Sequence, residues 1–391
     1  MHRFRPLLGS IALLLCCHAQ AQGHEDALRS GWAAFESADP GRAYRVLLPL
    51  AEQGDKFAQF AVGEILLDGR GMPRDPARAI VYLRGAAEQE IPAAQERLGA
   101  VQYFGLTVPR DYTQAARWFE RAARNGYAQA QGNLAVLYLE GQGVPRDPRL
   151  ARYWLEQAVA QGDANAINSY AGLLMSGGGG AREEARALAL YRRAADLGVA
   201  AAMNNLGNAY RDGTGVARDF GMARHWYEKS AARQLPAAYT NLGLLSLQGQ
   251  GVARDTQRAQ RYLRLAAQKS DALAEYHMGA MYLYGDGVNS DRAAAQFWLA
   301  LGAAHGNDLA KAHLLVFAGA TDASADAKHQ APVYFNELAA AGSADLQFLV
   351  GELYVKGMIV PPNRDEARRW FDFAARQGDA RAAARLKVFG G

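Results

Sequence analysis

Residues 130–166 read AQGNLAVLYLEGQGVPRDPRLARYWLEQAVAQGDANA, and this stretch decides the fold. Apolar residues recur with a helical period on each side of the glycine loop at 141–143. Asp147 is a favoured N-cap, and Pro148 suits the first position of a helix, where the N–H that proline lacks is not needed. Gly162 ends the second helix. The stretch therefore predicts a helix, a glycine loop, a second helix and a glycine turn.

An alanine marks the same place in every copy of this unit. Ten alanines lie 36 residues apart without insertion or deletion: Ala43, Ala79, Ala115, Ala151, Ala187, Ala223, Ala259, Ala295, Ala331 and Ala367. Nine residues lie three positions after the later alanines, and all but Leu190 are aromatic. They are Tyr82, Trp118, Trp154, Leu190, Trp226, Tyr262, Trp298, Tyr334 and Trp370. A fixed period of this length indicates a solenoid of stacked helical units.

Two further patterns predict how the helices pack. A small residue recurs in the first helix of each unit, and we call this place the small-residue position: Gly63, Gly99, Ala135, Ala171, Gly207, Gly243, Gly279 and Gly351. We expect the two helices of a unit to press together there. We expect the aromatic residue of the second helix to pack between neighbouring units, because each unit of a solenoid contacts only its neighbours.

The first 21 residues have the pattern of a secretory signal peptide. Arg3 and Arg5 precede an apolar run, and residues 19–21 form a small-x-small cleavage site, so we expect cleavage after Ala21. An uncleaved anchor is the alternative. Both cysteines lie in this segment, so the exported chain would contain no disulfide. This pattern predicts a periplasmic or secreted protein.

Three further segments follow the signal peptide in this interpretation. Residues 22–54 are predicted to form an atypical capping repeat, since the terminal units of solenoids meet water on one face. Residues 55–391 form the repeat array. Within it, the unit at about 305–342 is degenerate, because it lacks the loop glycines and the capping aspartate. It represents either a binding insert or a drifted repeat.

Composition excludes several classes of function. The net charge is only +4 among 43 basic and 39 acidic residues, and the arginines are scattered, so nucleic acid is not an expected partner. No segment beyond the signal peptide is apolar enough to predict a membrane span. No catalytic motif is present, and we predict no catalytic residue, cofactor or metal. His305, Asp308 and His313 are the nearest approach to a metal site, if the two histidines share a helix face.

The repeated residues resemble the Sel1-like repeat, a relative of the tetratricopeptide repeat. The unit that contains Ala202, Leu206, Gly207, Trp226 and Ala238 matches it closely, although Gln234 replaces the closing glycine. The resemblance implies an all-α fold, a right-handed α-solenoid of stacked antiparallel helix pairs whose first helices line the concave face. Members mostly act as scaffolds that bind other proteins, and exported bacterial members serve envelope signalling, secretion or host contact.

This resemblance leads us to predict a non-catalytic exported scaffold that binds a protein or peptide partner. Two alternatives remain at this point. One is an enzyme that recognises or hydrolyses β-lactams, as implied for cysteine-rich relatives, whose cysteines this chain lacks. The other is a component that binds envelope carbohydrate.

The related tetratricopeptide geometry indicates which side chains would contact the partner. They lie three positions before and one, four and five positions after the small-residue position. The residues found there are Tyr103, Phe104, Asn168, Asn204, Asn208, Arg211, Thr240, Gln248, Tyr276 and Tyr284. Asparagine amides would hold a peptide backbone, and tyrosine and arginine are the residues that anchor interfaces. The alternative is that several of the aromatic residues belong to the core.

Overall fold

The computed structural model describes residues 7–37, 39–319, 344–356 and 362–389. All regular secondary structure in these ranges is α-helical, as predicted. The helices group into two units, Met1–Val199 and Ala200–Gly391.

The first unit contains ten helices in the part that the structure describes: α1 (Leu7–Glu36), α2 (Pro40–Glu52), α3 (Lys56–Asp68), α4 (Pro76–Glu88), α5 (Pro92–Phe104), α6 (Tyr112–Arg124), α7 (Ala128–Glu140), α8 (Pro148–Ala160), α9 (Ala164–Ser176) and α10 (Glu184–Asp196). The described residues of the second unit form α11 (Ala200–Asp212), α12 (Phe220–Ala232), α13 (Pro236–Gln248), α14 (Thr256–Ala267), α15 (Ala272–Tyr284), α16 (Arg292–Ala304), α17 (Asp308–Gly319), α18 (Ala344–Lys356), α19 (Arg364–Arg376) and α20 (Ala380–Phe389). Within each unit, consecutive helices pack on one another. This arrangement confirms the predicted helix pairs.

The two helices of a repeat meet at the small-residue position, as expected. A Cβ atom added at Gly63 would lie 2.7 Å from the Leu83 side chain, and one added at Gly99 would lie 2.6 Å from the Phe119 ring. Both distances are well below van der Waals contact, so a larger residue at Gly63 or Gly99 would force the opposing side chain to move. The opposing side chains, four positions after the repeated alanine, form the buried centre of each repeat: Leu83, Phe119, Leu155, Tyr191, Tyr227, Leu263, Leu299 and Phe371.

The aromatic residue one position earlier packs between repeats, which confirms the second packing prediction. Trp154 on α8 contacts a cluster built from α6 and α7. Tyr262 on α14 contacts the cluster of α12 and α13, and Trp298 on α16 contacts that of α14 and α15. Each of these side chains is half-buried, so its ring covers the joint between one repeat and the next.

Helix ends follow the predicted chemistry. The Asp147 side chain accepts hydrogen bonds from the backbone N–H groups of Arg149 and Leu150, which satisfies donors that the helix cannot. The same cap recurs at Asp75, Asp111, Asp219, Asp255 and Asp291. Gly162 ends α8 with φ at +83°, in the left-handed region. In three repeats a larger residue stands in this left-handed turn: Glu90, Gln234 and Ser270.

Helix α1 runs through the predicted cleavage site and into the predicted capping repeat. Its packing differs from the repeating pattern, because Gly31 opposes Leu47 at 2.5 Å from an added Cβ. The 36-residue period predicts this contact at Ala27, so Gly31 lies four residues, or about one helical turn, closer to α2 in sequence. No Gly-x-Gly loop separates the two helices. None of the helices in the described ranges is both long and apolar enough to cross a membrane.

The degenerate unit is described only in part. Helix α16 ends at Ala304 and α17 spans Asp308–Gly319. Ala331 and Tyr334, which the period assigns to a second helix, lie outside the described residues. The choice between a binding insert and a drifted repeat stays a prediction.

Candidate partner-binding site

Three asparagines on neighbouring first helices of the second unit form one hydrogen-bonded group, which we call the amide cluster: Asn204, Asn208 and Asn241. Asn241 on α13 donates from Nδ2 to Oδ1 of Asn204 at 2.9 Å and to Oδ1 of Asn208 at 3.4 Å, both on α11. The Tyr227 hydroxyl, from the buried centre of the repeat, also donates to Asn208 Oδ1 at 2.8 Å. The Tyr227 hydroxyl thus links the buried centre of the repeat to the amide cluster, which brings together two predicted site residues, Asn204 and Asn208.

Arg211 extends this cluster toward the end of α11. Its Nη1 donates to Asn241 Oδ1 at 3.2 Å, and its Nε and Nη2 donate to the Asp212 carboxylate at 2.7 and 2.9 Å. The hydrogen bond to Asp212 raises the pKa of Arg211 despite partial burial, so the guanidinium stays charged. Its position is fixed by three bonds.

An open groove of about 400 Å³ lies beside Arg211, between α11, α13 and the loop that follows α11. We call it the arginine groove. Its polar and aromatic lining comprises Arg211, Asp212, Arg218, Phe220, Asn241 and Gln248. Arg211 and Gln248 are predicted site residues that the structure places at one surface.

Thr240 and Asn168 lie apart from this groove. Thr240 is buried and donates to the Asp271 carboxylate at 2.9 Å, while Asp271 caps α15. Its hydroxyl therefore holds a helix end. Asn168 lies half-buried on α9 in the first unit.

The four predicted aromatic residues divide between core and surface. Tyr276 is only 6% exposed and packs with Leu299 and Ala310 in a core cluster. Phe104 and Tyr284 are 58% and 66% exposed. Tyr103 is half-buried beside the Phe104 ring, with their centroids 4.9 Å apart. The core alternative therefore holds for Tyr276. Phe104 and Tyr284 lie at the surface, where the Tyr284 hydroxyl is 3.4 Å from Nε2 of His313.

The two histidines of the metal hypothesis do not share a helix face. His305 caps the end of α16, where its Nδ1 lies 2.7 Å from Oε2 of the buried Glu275. His313 lies on α17, where its Nδ1 is 2.9 Å from the Leu309 carbonyl. A turn separates α16 from α17 between the two histidines, so the condition that they share a helix face is not met. In the described ranges, no group of three or more His, Cys, Asp or Glu side chains is placed to hold a metal ion.

The first unit carries acidic groups on its first helices, and we call them the carboxylate cluster: Glu64, Asp68 and Glu96. Arg97 on α5 pairs with Glu64 at 2.8 Å and with Asp68, both on α3. Glu96 is almost fully buried, and its Oε1 accepts from Asn133 Nδ2 at 2.9 Å.

Burial raises the pKa of two of these carboxyls. The pKa of Glu96 rises to about 7, because desolvation outweighs the opposing charge of Arg97. Desolvation also raises the pKa of Glu64, again against the effect of Arg97. These raised pKa values could not be predicted from the sequence, because the partners of Glu64 and Glu96 come from neighbouring repeats.

Comparison with known families fits this repeating geometry. The family model of the Sel1 repeat matches more than half of the chain, over residues 56–90, 92–127, 128–163, 164–199, 200–235, 236–271, 272–307 and 344–379. The chain belongs to the Sel1 repeat family. No curated protein matches the sequence.

Two solved structures of Sel1 type are similar to the chain. One is a protective antigen present in uropathogenic Escherichia coli strains that displays an SLR fold, with 28% identity and a TM-score of 0.56 over 95% of this chain and 81% of that chain. The other is a Sel1 repeat protein from Oxalobacter formigenes, with 27% identity and a TM-score of 0.53 over 65% of this chain and 99% of that chain. The chain thus has a Sel1 repeat scaffold fold, of a type typical of protein–protein interaction.

The candidate site residues predicted from the sequence did not include those two places before the small-residue position. In this Sel1 protein, Asn241 there joins Asn208 of the preceding repeat, and Arg97 joins Glu64 in the same manner. Arg385 likewise pairs with Glu352 at 2.6 Å. The signal was present as a polar column at the 36-residue period: Arg97, Asn133, Ser169, Asn205, Asn241, His277 and His313.

Proposed function

We propose that this Sel1 repeat protein is an exported scaffold, without a catalytic role, that binds a protein or peptide partner on its first helices. The observation that carries the proposal is the amide cluster. It connects two repeats through hydrogen bonds between first helices, with Asn208 and Asn241 half-buried and Asn204 8% exposed. A hydrogen-bonded row of amides suits a ligand that is itself a polypeptide.

The hydrogen-bond pattern of the amide cluster favours a ligand rich in acceptors. Asn204 and Asn208 both accept through Oδ1 from Asn241. Their Nδ2 groups are the donors that the cluster does not use internally among the described residues. Peptide carbonyl oxygens are the commonest acceptors that another protein offers. An extended segment lying along α11 and α13 would receive these bonds.

Export is supported by the residues that precede the repeats. Basic residues at 3 and 5, an apolar run and the small-x-small site at 19–21 form the three parts of a signal peptide. Cleavage after Ala21 would place the repeats in the periplasm or outside the cell. Mass spectrometry of the protein recovered from its native host tests this step, and an intact residue 1–21 segment would contradict it.

Partner capture tests the binding surface. We expect the tagged wild-type protein to recover a specific polypeptide from an envelope extract, and the double variant Asn204→Ala/Asn208→Ala to lose at least tenfold of that recovery, because two backbone contacts vanish together. A matched control removes two exposed amides from second helices, Gln157→Ala/Gln257→Ala, and should capture as the wild type does.

Two outcomes would contradict the proposal. Equal capture by the double variant and the control would move the partner away from the amide cluster. Turnover of a chromogenic β-lactam by the purified protein would overturn the non-catalytic role. Co-sedimentation with purified envelope glycan in place of a protein would replace a polypeptide partner with a carbohydrate.

A further inference from the structure

The arginine groove has an uncompensated positive charge. It holds two guanidinium groups, those of Arg211 and Arg218, and one carboxylate, that of Asp212. Asp212 is fully engaged with Arg211, through bonds of 2.7 and 2.9 Å. Arg218 makes no ion pair and no hydrogen bond within the part of the chain that the structure describes. The groove therefore offers one cation without a partner.

Arg218 differs in this respect from the arginines at the same place in other repeats. Arg74, Arg146 and Arg254 each donate from Nε to the carbonyl of the residue seven positions earlier, at 2.8 to 3.0 Å. They hold the end of the first helix against the loop. Arg218 does not make this bond, and its guanidinium lies over the Phe220 ring at 5.7 Å from the centroid. Arg110 and Arg182 stand at the same place and also lack this bond, but Arg110 donates to the Tyr112 hydroxyl at 3.1 Å and Arg182 pairs with Glu184 at 2.7 Å. Among these six arginines, Arg218 is thus the one with neither a hydrogen bond nor an ion pair in the described residues.

The rest of the groove suits the stem of an acidic side chain. Leu244 and Leu245 contribute apolar surface to the lining. Phe220 lies under Arg218 and limits where its guanidinium can move. A planar guanidinium held over an aromatic ring presents its N–H edge outward, which is the edge that pairs with a carboxylate. Charge, apolar floor and donor direction are all complementary to aspartate or glutamate.

We propose that the arginine groove binds an aspartate or glutamate side chain of the partner peptide. The inference rests on the proposed function and names the chemistry that this surface selects. The peptide backbone lies on the amide cluster, and its acidic side chain enters the groove between α11 and α13. Arg218 forms the ion pair with this acidic side chain. Arg211, whose charge Asp212 already neutralises, helps to hold the side chain in place. Charge-assisted bonds of this kind are about twice as strong as neutral ones.

Selection from a phage-displayed library of random peptides tests this proposal. The peptides are fused through their C-termini, so no free terminal carboxylate is present, and only side chains can supply the anion. The wild type is compared with Arg218→Glu and with the control Arg261→Glu. Arg261 is an exposed residue of α14 outside the groove, so the control makes the same charge change elsewhere in the same unit.

We expect the wild type and the Arg261→Glu control to enrich aspartate or glutamate at one peptide position, and Arg218→Glu to enrich no acid there. A synthetic consensus peptide should then lose about tenfold in affinity for the wild type when its acid is replaced by the amide, and little for Arg218→Glu. Arg218 is exposed and makes no ion pair or hydrogen bond among the described residues, so the variant should keep its helicity, which circular dichroism would check.

The failures are distinguishable. Equal acidic enrichment by all three proteins, or selected peptides with no acidic preference, would overturn the groove assignment and leave peptide binding intact. Selection of no peptide above background by any of the three would overturn both the groove assignment and the proposed peptide-binding function.

Discussion

The carboxylate cluster of the first unit and the amide cluster of the second occupy the same positions of their repeats. Glu64 and Asn208 each follow the small-residue position by one, and Arg97 and Asn241 each reach them from the next repeat. In the first unit the pair of Glu64 and Arg97 is ionic, and the neighbouring Glu96 is buried. In the second unit the pair of Asn208 and Asn241 is formed by amides. The comparison shows that the repeat geometry decides which side chains meet and leaves their chemistry open.

The largest expected effect comes from the buried centre of one repeat in each unit. Phe119→Ala and Tyr227→Ala should each lower the free energy of unfolding by about 3–5 kcal/mol, because each removes a fully packed ring. Tyr227→Phe should cost only about 1 kcal/mol, through the lost hydrogen bond to Asn208. Urea unfolding measures both.

Of Phe119 and Tyr227, Tyr227 is the one whose hydroxyl reaches a residue of a cluster, Asn208, so partner capture by its variants sharpens the comparison. Tyr227→Phe should weaken capture, since Asn208 loses one of its fixed partners. A Tyr227→Phe variant with unchanged capture would show that the core does not help to position the amide cluster.

A change of pH should act on the carboxylate cluster more than on the amide cluster. The pKa of Glu96 is raised from 4.5 to about 7 in the folded protein, so folding favours its protonated form. Its contribution to stability is complete below about pH 4.5 and is lost as pH rises through about 7. Glu96→Gln keeps the acceptor for Asn133 and removes the charge. At about pH 8 the variant should be more stable than the wild type, by up to about 3 kcal/mol.

Amide hydrogen exchange of α5, measured at about pH 4 and about pH 8, tests this prediction. Exchange in the variant should be slower than in the wild type at the higher pH and equal to it at the lower pH. Asn241→Ala in the second unit serves as the comparison. Because it removes no carboxyl group, its effect on stability should be the same at both pH values. A stability gain for Glu96→Gln that is independent of pH would contradict the buried ionisation.

The smallest effect is expected at the closing turns. Gln234→Gly in the second unit should raise the free energy of unfolding by about 1 kcal/mol, because Gln234 has φ at +61° and glycine adopts this conformation without strain. Glu90→Gly in the first unit relieves the same strain. It also removes hydrogen bonds from Gln95 at 2.9 Å, Arg121 at 2.5 Å and Asn125 at 3.1 Å, so its net effect should be close to zero. Gln234→Gly removes one exposed hydrogen bond, from Lys269 at 3.2 Å. Thermal unfolding of the two variants compares them, and equal gains would show that the Glu90 contacts contribute nothing.

The sequence predicted what each repeat needs internally. Asp147, Pro148 and Gly162 identified a helix start and a helix end, because caps act on the nearest backbone. Gly63 and Gly99 indicated the close contact of paired helices, since only a small side chain recurs there. The order of helix, loop, helix and turn and the family were accessible in this way, whereas the residue four after the repeated alanine was not singled out as the buried centre.

What the sequence did not predict depends on distances between repeats. Asn241 was missed because a 36-residue period says which residues are equivalent and not which ones touch across the joint. Asn204, Thr240 and Tyr276 were predicted as surface residues and prove buried, since a helix position near the boundary of two faces is assigned by packing. The position of Gly31 departed from the period because the loop after α1 lacks the Gly-x-Gly insertion.

The small-residue position and the buried side chain that opposes it belong to the same repeat. Asn208 and Asn241 belong to different repeats. A tandem duplication or loss of one 36-residue cassette, such as 200–235, would therefore preserve every helix-pair contact while placing new neighbours side by side on the first helices. Such an event changes what the protein recognises without threatening its ability to fold. Arrays built in this manner can acquire new specificities by recombination alone, ahead of any point mutation.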